Sequence, residues 1–70
     1  MGIEAREIIV IEAPQWGSND STSLIAESRG RVQAIRVESG KVLATVNRED
    51  VESVRELMKA RGLKVIEQSV

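Results

Sequence analysis

Residues 31–68 read RVQAIRVESGKVLATVNREDVESVRELMKARGLKVIEQ, two short alternating runs around Glu38-Ser39-Gly40-Lys41, then an amphipathic segment and a last apolar run. The order is hairpin, helix, strand. In Val32 to Glu38 the alternation puts Gln33, Ile35 and Val37 on one face and Val32, Ala34, Arg36 and Glu38 on the other. Ser39-Gly40 suits the centre of a tight turn, because glycine accepts a positive φ without a Cβ penalty. Lys41 to Val46 then places Val42, Ala44 and Val46 on one face and Leu43 and Thr45 on the other. Asn47 is positioned to cap the helix that follows. In that helix Val51, Val54, Leu57 and Met58 form one stripe at about 3.6 residues per turn. Glu49, Asp50 and Glu52 sit at its positive N-terminal end, Lys59 and Arg61 at its negative C-terminal end, and Gly62 stops it. Leu63 to Gln68 resumes alternation as an edge strand, with Leu63 and Val65 on one face and Lys64, Ile66 and Gln68 on the other.

Working back toward the N-terminus, Arg6 to Ala13 carries four consecutive branched aliphatics and is closed by Pro14, which reads as a strand buried on both faces. Residues 15–23 hold the densest turn and cap chemistry of the chain. A short helix is expected to start at Asp20 or Ser21 as N-cap, to turn Leu24 and Ile25 inward and to end at Gly30. The competing reading makes Ser23 to Ser28 a further strand turning at Arg29-Gly30. With the helix, the element order is β-α-β-β-α-β. That order predicts a single α+β domain over residues 1–70, a ferredoxin-like βαββαβ sandwich with a four-stranded antiparallel sheet and two helices on one face.

Composition narrows the function classes. A chain of 70 residues buries only about 60% of its unfolded surface, and small domains usually compensate with disulfides, a metal or a partner. The sequence contains no Cys and no His, so a bridge, a transition metal, iron-sulfur chemistry and a His-dependent nucleophile are all excluded, and no cofactor is expected. A partner is what remains. Ten basic and 11 acidic residues are interspersed to a net charge of -1, leaving no stripe able to follow a phosphate backbone. Trp16 is the only aromatic, so the base-stacking platform of RNA-binding sheets is missing and nucleic acid is not an expected partner. No signal-peptide pattern and no membrane span is read, and a cytoplasmic location is the expectation that follows.

Two places remain for function. Aliphatics on both sides of the first strand, joined by Leu43 and Ile66, leave an apolar sheet face that helices on one side cannot cover, and such a patch marks an interface. Ile9, Ile11, Leu43 and Ile66 are the expected interface residues, with a homodimer or another protein as the partner. The loop from Pro14 to Thr22 is the second place. Trp16, Gly17, Ser18, Asn19 and Asp20 are its candidate ligand- or partner-binding residues, through exposed N–H groups and hydroxyls before a helix. Ser, Asn and Asp before a helix are usually capping residues, and Trp16 is read first as a lid on the core and otherwise as an exposed anchor. From Ile8 to Gln68 the chain resembles an ACT-type regulatory domain in its element order, its polar loop after the first strand and its Gly40 hairpin followed by residues 47–62. This resemblance implies pairing of copies and binding of an amino acid or other small anionic ligand at that loop. The expected function is a non-catalytic interaction module that self-associates or serves a larger complex, the alternative being an ACT-like ligand-sensing domain.

Overall fold

A computed structural model of the chain describes residues 5–66. They form β1 (Arg6–Glu12), α1 (Ser18–Glu27), β2 (Val32–Glu38), β3 (Lys41–Asn47), a short 3-10 turn (Arg48–Asp50), α2 (Val51–Ala60) and β4 (Lys64–Ile66). The strands make one antiparallel sheet in the order β2-β3-β1-β4, so β3 and β1 are central. Leu24 of α1 and Val54 and Met58 of α2 share one core with Ile9, Ile11, Val32, Val42, Ala44 and Val46 of the sheet. Both helices therefore cover the same face. Among the described residues no helix is long and apolar enough to cross a membrane.

The turns follow their sequence signals closely. Ser39 and Gly40 both have positive φ, 50° and 78°, as a type I′ hairpin requires, and this matches the right-handed twist of the flanking strands. At the end of α2, Gly62 adopts φ 79° while its N–H bonds to Lys59 O at 2.9 Å and the Leu63 N–H to Met58 O at 3.0 Å. This is a Schellman cap, and the hydrophobic Leu63 then packs against the core.

Three elements depart from the expectation. Helix α1 begins at Ser18 rather than after Asp20 or Ser21, with Gly17 as N-cap; Asp20 sits in the first turn and its Oδ2 accepts the Gly17 N–H at 2.8 Å. The cap therefore comes from within the helix, reaching back. Asn47 makes no side-chain cap bond; its Oδ1 accepts instead from Gln33 Nε2 at 3.1 Å, and the 3-10 turn separates it from α2. In β2, Val32 pairs with Val46 but Ala34 with Thr45, so Gln33 is an extra residue in a β-bulge. The bulge moves Val32 to the helix side, where it is fully buried, and away from the face it shares by simple alternation with Ala34 and Arg36. Beyond these, β4 is described only to Ile66, and Gln68 lies outside the described residues.

Ser28 is a buried polar residue that periodicity does not reveal. It follows α1 at 1% exposure, donating its hydroxyl to Ile25 O at 2.9 Å and accepting the Val32 N–H at 3.1 Å. One side chain thus satisfies both the helix end and the first residue of β2 in the dry interior.

Candidate functional site

The register of the sheet decides what the uncovered face carries. Ile9 pairs with Ala44 and Ile11 with Val42, and all four are buried against the helices. This corrects the assignment of Ile9 and Ile11 to the interface. A run of four aliphatics has no period of its own, and its facing is set only by which residues of β3 it meets. Leu43 and Ile66 do lie on the uncovered face, where both are register partners of Val10.

Three rows cross this face. The middle one runs Ile66, Val10, Leu43, Arg36 from β4 to β2. Val10 is only 6% exposed, flanked by Leu43 and Ile66, whereas Ile8 in the next row stands out at 48% beside Thr45 and Ala34. The row on the other side is Lys64, Glu12, Lys41, Glu38, with the sign of charge alternating at every strand. Lys64 Nζ meets Glu12 Oε1 at 3.2 Å, and Arg36 Nε meets Glu38 Oε2 at 2.8 Å along β2. Between these rows Val10, Leu43 and Ile66 line a shallow depression of about 310 Å³. The face thus has an apolar centre with a charged row along one side. Among the described residues no element lies over it.

The loop after β1 is built differently from a free anion site. Its start is fixed by Ala13, whose N–H bonds to Gly40 O at 2.9 Å and whose carbonyl accepts the Trp16 N–H at 3.1 Å. Trp16 is half-buried against the core, and its indole Nε1 donates to Ser21 Oγ at 2.8 Å. It is a lid with its polar edge satisfied. The Gly17 N–H that would hold an anion is taken by Asp20, so the helix N-terminus already carries a carboxylate of the chain itself. Ser18 and Asn19 are exposed in the first turn of α1. Of the five expected loop residues, Trp16 and Asp20 line an open cleft of about 390 Å³ with Pro14, facing Arg61 and Leu63 of the α2–β4 connection and Lys64 at the start of β4. Arg61 is paired there with Glu27 at 3.5 Å. Sequence reading missed this opposite wall because nothing in the chain order announces that residues 61–64 meet residues 12–20.

Glu7, Glu12, Glu27, Glu38 and Glu52 each lie within ion-pair distance of Arg or Lys at the surface. Such exposed pairs contribute roughly 0–1 kcal/mol each. No group of three or more Asp or Glu among the described residues could hold a metal ion. Comparison with protein-family models, with curated proteins and with solved structures finds no match to this chain.

Proposed function

We propose that this chain is a non-catalytic interaction module that self-associates through its uncovered sheet face. The observation that carries the reading is the apolar row of Val10, Leu43 and Ile66, with half-exposed Ile8 beside it, on a face that no described helix covers. The cheapest cover for such a face is the same face of a second copy. We also read the sheet as ferredoxin-like. Taken from the other edge the order is β4-β1-β3-β2 with β1 and β3 central, which supports that reading.

The size of the face sets the class of interface it can form. Four strands about 4.8 Å apart, three of seven residues and one of three among the described residues, each residue rising about 3.4 Å, give at most about 450 Å² per copy. Two copies bury at most about 900 Å², below the ~1,200–2,000 Å² of stable interfaces. The association is therefore weak, with a dissociation constant on the order of micromolar, and reverses on dilution. Backbone amide spectra recorded over a dilution series test it: the peaks of Ile8, Val10, Leu43 and Ile66 move with concentration while those of the outer faces of α1 and α2 stay. Shifts confined to the helices, or to residues 14–20, contradict the reading.

A second reading is favoured by the cleft beside Trp16. Its volume of about 390 Å³ lies near the lower bound of small-ligand sites at ~300–1,000 Å³, and Arg61 and Lys64 bring more donors than their surface pairs use. This is the ligand-sensing function that the ACT resemblance implies. Trp16 is the only aromatic residue and reports on it directly. A saturable change in its fluorescence with one of the amino acids, accompanied by a matching rise in Tm, supports the second reading. Flat titrations with all twenty remove the amino-acid form of it.

A further inference from the structure

The charged row bears on how two copies would be arranged. We infer that two copies pack face to face about a two-fold axis parallel to the strands and midway between β1 and β3, so that β1 lies over β3 of the second copy and β2 over β4. This inference rests on the self-association proposed above.

Its ground is the in-register order Lys64, Glu12, Lys41, Glu38 across the four strands. A rotation about an axis along the strands leaves each row at its own height and reverses its order from edge to edge. The row +−+− then meets −+−+. Lys64 faces Glu38 of the second copy, Glu12 faces Lys41, and both contacts occur twice, as an isologous interface demands. In the next row the same rotation sets Val10 over Leu43 of the second copy and lays the Arg36 stem over Ile66. The alternative two-fold axis, running across the strands, turns the sheet end for end. It carries the charged row to the end where Arg6 pairs with Asn47, and there the described residues offer no alternating row to match it. Sheet twist rotates the two copies by about 30° relative to each other, a displacement that side chains as long as Lys and Glu accommodate.

Charge reversal separates this packing from self-association in general. Lys64→Glu and Glu38→Lys are made singly and together, and the mass of each is followed by sedimentation over concentration, with far-UV circular dichroism as the check on folding. Each single reversal turns two attractions per dimer into repulsions and raises the dissociation constant by about 10- to 30-fold. The double variant restores it to within about 3-fold of the unmodified chain, because the reversed row again meets its opposite. A dimer that ignores the single reversals, or a double variant as weak as the singles, overturns the packing while self-association stands. An unmodified chain that is monomeric throughout overturns both. Because Lys64 and Glu38 are surface residues on the two edge strands, their reversal leaves the core intact. If one of the singles fails to fold, Lys41→Glu with Glu12→Lys tests the other contact in the same way.

Discussion

Ile11→Glu is expected to leave the chain unfolded at room temperature. Ile11 is fully buried, pairs with Val42 on one side and Val65 on the other, and faces the layer of Leu24, Val54 and Met58. A carboxylate there has no cation within the core cluster, and an uncompensated buried charge costs several kcal/mol even after relaxation. Set against a stability of about 0.05–0.15 kcal/mol per residue, or roughly 4–10 kcal/mol for a chain of this length, the loss consumes most or all of it. Far-UV circular dichroism and the loss of a cooperative melt read the result. A folded, monomeric Ile11→Glu variant would return Ile11 to the interface and contradict the register.

Three residues earlier the same substitution has the opposite consequence. Ile8→Glu places the charge at a position that is 48% exposed and on the uncovered face, so the isolated copy keeps its dichroism and its melting temperature within a few degrees. In the dimer that carboxylate is pressed against the partner's sheet at two symmetric places. The dissociation constant rises on the order of 100-fold. Light scattering at a concentration where the unmodified chain is dimeric then returns the monomer mass. If Ile8→Glu stays dimeric, the interface lies elsewhere on the molecule.

The contrast between Ile8 and Ile11 also marks the limit of what sequence alone carries here. The hairpin and α2 were legible because each has a local signal: positive φ at Ser39-Gly40, a 3.6-residue stripe ending on Met58, and a glycine at Gly62 closing a Schellman cap. Leu43 and Thr45 separate from Val42, Ala44 and Val46 for the same reason, since β3 alternates without interruption. In β1 the four aliphatics carry no alternation, and the pairing of Val10 with Leu43, rather than of Ile9 or Ile11, exists only once β3 is beside it. The bulge at Gln33 is equally non-local, because an extra residue shows only against a partner strand. Helix α1 begins earlier than a side-chain cap at Asp20 or Ser21 predicts, because its cap is a glycine whose N–H is taken by Asp20. In the candidate site Trp16 and Asp20 were identifiable by type and position, but the wall formed by Arg61 and Lys64 required the α2–β4 turn to fold back onto the end of β1. The alternating row of Lys64, Glu12, Lys41 and Glu38 draws one residue from each strand and is invisible in any window of the chain.

Self-association is the claim on which the interface, its symmetry and the Ile8→Glu result all depend. The mass of the purified chain by light scattering over a dilution series tests it most directly. A mass that falls from twice 7.7 kDa toward 7.7 kDa through the micromolar range is the predicted result. A single mass of 7.7 kDa at every concentration, from a chain that remains folded, would contradict it.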